Sequence, residues 1–289
     1  MILCLCLIIA GLPILMTLVF QGDEILLDTD SNEMQHKSSH PDEEEKMAAL
    51  VSILARDIPV TYEEEAIRAQ AVIVRTNYEY ALSQGKAPET GLSVAEQTKL
   101  FGNENYNRYY QKLENCLIDT EGEVLTYQGQ EIEAPYFAVS AEKTRGTELP
   151  YLKSAESIWD ITSEDFLKVE FYDAGELVDT CNQAFPEAGL TAEDWVNTLV
   201  VTEREESGYV KTIQVGNSSV SGEEFRKAFS LNSGCFYIRE IDGRVRIVTK
   251  GLGHGYGLSI YGANEMAKEG KTYQEILSYY YSGIEITKK

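Results

Sequence analysis

Two carboxylates and one histidine stand where their neighbours could tune them for chemistry. Asp57 closes the run MAALVSILARD just before Ile58-Pro59, and Glu65 lies in EEEAIRAQAVIVRTNYEYAL among small apolar residues. A carboxyl group kept from water holds its proton to higher pH, which is what a general acid needs. Arg56, Arg68 and Arg75 are close in sequence and could hold either group as an ordinary ion pair. The histidine is His254, in GLGHGYGLSIYGANEMAKEGK, where four glycines alternate around it. Such a backbone admits a second chain segment or an extended substrate at close range. His254 is then either a hydrogen-bond donor or base at a site, or a structural hydrogen-bonder among tight turns.

Other chemistries are excluded by spacing. A dinucleotide fingerprint starting at Gly251 needs glycine where Tyr256 stands, and one starting at Gly253 needs it at Leu258. Gly270-Lys271-Thr272 ends like a phosphate loop, but Glu265 occupies the required earlier glycine. There is no GxSxG element to support a serine triad. Of five cysteines, Cys4 and Cys6 fall in the apolar N-terminal run, leaving Cys116, Cys181 and Cys235 without a CxxC pair. That set allows at most one disulfide, and with three histidines in all it supports no metal site and no cofactor. The formal charge of −22 disfavours nucleic acid and anionic headgroups as partners, and leaves neutral or cationic ones, glycans included.

The elements that must position these residues follow from pattern. MAALVSILARDIP reads as a helix stopped by Pro59. Thr61 with Glu64 forms a capping-box pattern opening a second helix, in which Ile67, Ala71, Val74 and Tyr78 share one face and Glu65, Ala69, Val72 and Thr76 the other. Glu64, Arg68 and Arg75 make the polar stripe between, so this helix is expected to be largely buried. GEVLTYQGQEIEAPYFAVSA reads as a hairpin about Gln128-Gly129-Gln130. Further strands are expected at Trp195 to Thr202, Tyr209 to Val215 and Phe236 to Val248, with short helices at LTAEDWV and SGEEFRKAF. Thr272 and Glu275 cap a last helix that ends at Gly283. Helices early and late with strands between define an α+β class.

Residues 1–20 contain ILCLCLIIAGLPILMTLVF, long and apolar enough to cross a bilayer once, and are read as a transmembrane anchor in preference to a cleaved signal. Residues 21–46 are acidic and aperiodic, as in a flexible tether. Residues 47–289 are expected to form the folded domain.

Four blocks resemble the stage II sporulation protein D family. ARDIPVTYEEEAIRAQAVIVRTNYEYAL is similar to its Glu-Met-Pro element followed by Glu-Ala-Leu-Lys-Ala-Gln-Ala and Arg-Thr. GEVLTYQGQEIEAPYFAVSAEKT, PYLKSAESIWD and the glycine-histidine stretch follow in the family's order. The resemblance implies a single domain with a substrate groove, and a lytic transglycosylase acting on peptidoglycan strands stripped of stem peptides during sporulation engulfment. One carboxylic acid would protonate the glycosidic oxygen, then deprotonate the muramic hydroxyl that closes an anhydro ring. Because the sugar supplies the nucleophile, a second carboxylate is not required. The implied acid is Asp57, where the family has Glu, with Glu65 as partner or replacement. Arg75, Ser140, Lys143, Thr144, His254, Gly255 and Tyr261 are the implied groove residues. Ala141-Glu142 for Gly-Gly and Ile260 for Gln are further departures, and SVAEQTKL lacks the Cys and His of the zinc-binding members. The same resemblance implies a single-pass protein of the cell membrane with its domain outside the cytoplasm, other cell-wall hydrolases as partners, and, as the alternative function, a non-catalytic glycan binder or amidase enhancer.

Overall fold

Helix α1 (Pro41–Asp57) stops where Pro59 makes it stop, two residues before the imide ring. The computed structural model describes residues 41–289, so the apolar stretch Ile2 to Phe20 and most of the acidic stretch lie outside the described residues. Within them no helix is long and apolar enough to cross a membrane. Helix α1 begins earlier than Met47, so residues 41–46 are helical, and Lys46 pairs with Glu79.

The helix expected to be buried is the centre of the first core. Helix α2 (Glu64–Ser83) hides Ile67, Ala69, Ala71, Val72, Ile73 and Val74. Around it pack α1, α4 (Tyr106–Asp119), β1 (Glu123–Tyr127), and the C-terminal helices α8 (Ile260–Lys268) and α9 (Tyr273–Tyr280). Short α3 (Val94–Phe101) covers one edge, closed by a Ser93/Glu96 capping box. Strand β1 forms an antiparallel sheet with β2 (Gln130–Glu131) and β11 (Glu285–Lys288). The β1–β2 connection has Gln128 at φ 51° and Gly129 at φ 74°, the two left-handed positions of a type I′ turn.

A second core is inserted between the halves of the first. It consists of β4 (Leu167–Asp173), α5 (Ala174–Ala184), the helical turn α6 (Trp195–Thr198), β5 (Leu199–Arg204), β6 (Val210–Val215), β7 (Ser218–Ser221), α7 (Gly222–Ala228), β8 (Cys235–Ile241) and β9 (Arg244–Lys250). The strands make two antiparallel sheets, β4-β9-β8 and β5-β6-β7, around Phe225, Phe236, Val245 and Ile247. Residues 41–289 are thus one unit of mixed α and β structure with two large hydrophobic cores and a small cluster of Ala141, Tyr209 and Cys235.

Three local expectations differ from what the chain does. The Thr61/Glu64 box does not form: Glu63 is the N-cap, its N–H donates to Asn264 Oδ1 at 2.9 Å, and Glu64 pairs with Arg68 instead. Trp195 to Thr198 is a helical turn, and the strand starts at Leu199. Arg75 leaves the polar stripe and is buried, donating to the carbonyls of Thr120, Leu117 and Glu123 at 2.7, 2.8 and 3.2 Å. These carbonyls lie at the end of α4 and the start of β1, and that of Thr120 accepts from the Glu123 N–H as well. Arg75→Ala removes these three hydrogen bonds, and a loss of about 3 kcal/mol is expected in urea unfolding. A loss below a third of that would contradict the scaffold role.

Candidate functional site

Asp57 is the last residue of α1, and its side chain is only 6% exposed. Oδ1 accepts a hydrogen bond from Arg56 Nε at 2.7 Å, and Oδ2 accepts one from the Tyr136 hydroxyl. Burial pushes the carboxyl pKa up, and the Arg56 and Tyr136 hydrogen bonds oppose it, with burial prevailing. The negative end of the α1 dipole acts in the same direction as burial. Burial, reinforced by the adjacent carboxylate, also raises the Tyr136 phenol, so that ring stays a donor. Tyr136, though not Asp57, lines a cavity of about 160 Å³ whose walls also include Asn77, Tyr78, Tyr80, Glu89 and Glu133.

Tyr136 opens β3 (Tyr136–Phe137), which pairs in parallel with β10 (Leu258–Ser259) and brings the glycine stretch alongside residues 136–145. His254 sits between Phe137 and Tyr256, with ring centroids 5.6 and 5.8 Å away. Its Nδ1 accepts from the Tyr256 N–H at 3.1 Å, and the ring also bonds the Tyr136 backbone. Asp57, Tyr136 and His254 are therefore linked through one residue, and His254 holds the segment that carries Tyr136. Gly255 shows why the glycines alternate: its φ is +88°, and a Cβ there would lie 2.6 Å from the Tyr209 hydroxyl. Arg145 clamps the same loop, donating its N–H to the Gly255 carbonyl at 2.7 Å and lying over the rings of Tyr256 and Tyr209, while pairing with Glu205.

Burial lowers the His254 pKa, and the bond to Tyr136 opposes it. The fold therefore prefers the neutral ring, and this stabilisation is present above the unfolded-state pKa and lost as pH falls through the folded one. Thermal unfolding between about pH 7.5 and pH 5 should show stability decreasing, and His254→Gln should flatten that decrease. An unchanged slope would contradict the neutral assignment.

Ser140 and Thr144 are fully buried and fasten the scaffold. The Ser140 N–H donates to Asp160 Oδ1 at 2.8 Å, and Thr144 Oγ1 accepts from the Ala155 N–H at 2.9 Å. Asp160 also accepts from Ser259 Oγ and Ser157 Oγ, each at 2.5 Å, and Ser157 meets the Tyr280 hydroxyl at 2.7 Å. One carboxylate thus ties together segments around Ser140, Ser157 and Ser259, which belong to three of the four sequence blocks. Lys143 is half-exposed and pairs with Glu156 at 2.7 Å. Tyr261 donates its N–H to the Ala138 carbonyl, and its hydroxyl is 3.1 Å from Thr162 Oγ1.

Glu65 has other partners. Oε1 pairs with Arg68 at 2.7 Å, and Oε2 accepts the Tyr273 N–H at 2.7 Å, so it caps the first turn of α9. Arg75 is committed to its carbonyls, as described above. Tyr136, Asp160 and Arg145 were not singled out from sequence, although all three lie in the quoted blocks or between them. Among the described residues, no three or more His, Cys, Asp or Glu side chains are grouped to hold a metal ion. Cys116, Cys181 and Cys235 are free thiols and buried.

Residues 45–127 match the family model described as Stage II sporulation protein. The chain is 31% identical to Stage II sporulation protein D of Bacillus subtilis over 82% of its own length and 73% of the relative's. It is 30% identical to the protein of the same name from Bacillus amyloliquefaciens with the same coverage. A more distant relative is an Amidase enhancer of Bacillus subtilis, 22% identical over 82% of this chain and 40% of that protein. The chain belongs to the stage II sporulation protein D family.

Proposed function

We propose that the chain is a peptidoglycan lytic transglycosylase with Asp57 as its acid and base, working on denuded glycan strands between the muramic and glucosamine residues during sporulation engulfment. The observation that carries this reading is a carboxyl group at the end of a helix, nearly out of solvent, raised by burial and hydrogen-bonded to Tyr136, which lines a cavity. A proton held there can pass to the glycosidic oxygen as the bond to the anomeric carbon breaks. The resulting carboxylate then takes the proton of the muramic hydroxyl as that oxygen closes onto the same carbon. Tyr136 and Arg56 orient the carboxyl, and His254 and Arg145 hold the loop behind it. Lys143 and Tyr261 are the proposed sugar-contacting residues, whereas Ser140, Thr144, Gly255 and Arg75 serve as scaffold. In this reading the N-terminal apolar stretch anchors the chain in the cell membrane with its domain outside the cytoplasm.

A second reading is favoured by the Arg56 pair. A carboxylate held by an arginine at 2.7 Å is stabilised in its ionised form, as in a structural ion pair. A member of that kind would bind denuded glycan, or enhance a partner hydrolase, without cleaving. Co-sedimentation and turnover measured on the same strands separate the two. Both readings predict capture, and only the first predicts that captured strands shorten.

A further inference from the structure

The outer face of the sheet β4-β9-β8 breaks two rules of surface construction. Along β4, Leu167, Val169 and Phe171 point outward and are about half-exposed, while Lys168 and Glu170 are the better covered residues. In register across the three strands, Val169, Val248 and Tyr237 make one row, and Phe171, Arg246 and Arg239 make the next. Arg246 and Arg239 are direct cross-strand partners, an arrangement that is repulsive unless an anion lies between them. Among the described residues neither arginine has an ion-pair or hydrogen-bond partner, and Arg246 Nε is out of water without an acceptor. In a chain of formal charge −22, two unpaired adjacent arginines call for an anion from outside. A depression of about 290 Å³ lined by Tyr237, Arg239, Arg246, Val248 and Lys250 lies over them.

One end of the face reaches the neighbour of Lys143, a proposed sugar contact. Lys250, four residues along β9 from Arg246 and so roughly 13 Å away, pairs with Glu142 at 2.7 Å, next to Lys143. Arg204 braces the Tyr237 ring at 4.3 Å and donates to the Gly208 and Phe236 carbonyls, which fixes the aromatic in place. A fixed aromatic ring offers an apolar surface to a sugar ring, and a pair of guanidinium groups matches a carboxylate. A glycan stripped of its stem peptides presents both, because removing the peptide frees a lactyl carboxylate on every muramic residue.

We propose that this sheet face is a second glycan subsite, which recognises denuded strands by their free lactyl carboxylates through Arg239 and Arg246 and by sugar stacking on Tyr237. The proposal rests on the reading of denuded glycan as substrate, and it is independent of whether Asp57 cleaves.

The test titrates the full chain with three probes: denuded strands, the same strands with their carboxylates converted to methylamides, and poly(glycerol phosphate). The wild type is expected to bind the acid strands about tenfold more tightly than the amidated ones. Arg239→Gln/Arg246→Gln should erase that preference and reduce its salt dependence, while the folded state keeps or gains melting temperature as the repulsive pair is removed. Asp57→Asn should retain the preference whether or not wild type makes product, so loss of catalysis and loss of this subsite are read separately. Equal binding of acid and amidated strands would overturn the proposal. So would a preference that survives in the double variant, or poly(glycerol phosphate) binding more tightly than the strands through the same arginines.

Discussion

Asp160→Ala should lower stability by about 4 kcal/mol, whereas Asp160→Asn should cost about 1 kcal/mol. The alanine leaves the Ser140 N–H and the Ser259 hydroxyl without an acceptor in a site with no exposure, takes one of two partners from the Ser157 hydroxyl, and opens a void beside Gly262. The asparagine keeps an oxygen for Ser140 and Ser259. Its amide can donate to Ser157, because the Ser157–Tyr280 hydrogen bond can run in either direction. Burial already raises the Asp160 pKa against the pull of its serine donors, so a neutral isostere also escapes the cost of a buried charge. For a unit of this size the alanine shift corresponds to a melting temperature lower by about 10 °C. Alanine and asparagine variants of equal stability would show that the carboxylate is not what ties the three segments together.

Asp57→Asn should reduce glycan cleavage by about a thousandfold, the usual contribution of a positioned acid and base. It should do so without loss of stability. Because the folded-state pKa of Asp57 is raised, its stabilising contribution exists below the unfolded-state pKa and is lost as pH rises through the folded value. At neutral pH the ionised side chain is therefore a cost, and asparagine should hold or raise the melting temperature. Inactive yet stable is the expected signature of a functional carboxylate. Glu65→Gln should give the reverse pattern. It loses the Arg68 pair and weakens the α9 cap, a cost of about 0.5–1 kcal/mol, while cleavage continues. Cleavage that survives Asp57→Asn and disappears in Glu65→Gln would exchange the two roles.

Much of the frame could be read locally. The Thr272/Glu275 box, the Gln128-Gly129 turn and the buried faces of α2 all depend on neighbours within a few residues. The Thr61/Glu64 box failed because Asn264, two hundred positions later, supplies the acceptor for Glu63. Strand β4 was not among the strands expected, although LKVEFYD alternates with period two; what the sequence could not show is that its apolar residues face outward. Helices α3 and α4 were not among the elements expected, although Ser93 and Glu96 form a capping box before α3 and Leu113, Cys116 and Leu117 share the buried face of α4. At the candidate site, Asp57 was legible from its place before Pro59, but Tyr136 and Asp160 were not. Their partners are 79 and 99 positions away, at Asp57 and Ser259, and only the parallel pairing of β3 with β10 and the fold around it bring them together. Arg75 reads as available because it falls on the helix stripe of Glu64 and Arg68, whereas its acceptors are the backbone carbonyls of another helix end.

The most direct measurement is mass spectrometry of denuded glycan strands incubated with the wild-type protein. Strand ends that close on the muramic hydroxyl are one water lighter than hydrolysed ends. The predicted result is accumulation of these anhydro ends with wild type and Glu65→Gln and their absence with Asp57→Asn. Strands that are bound by wild type yet recovered at their original length, or cut only to hydrated ends, would contradict Asp57 as the acid and base of a transglycosylase.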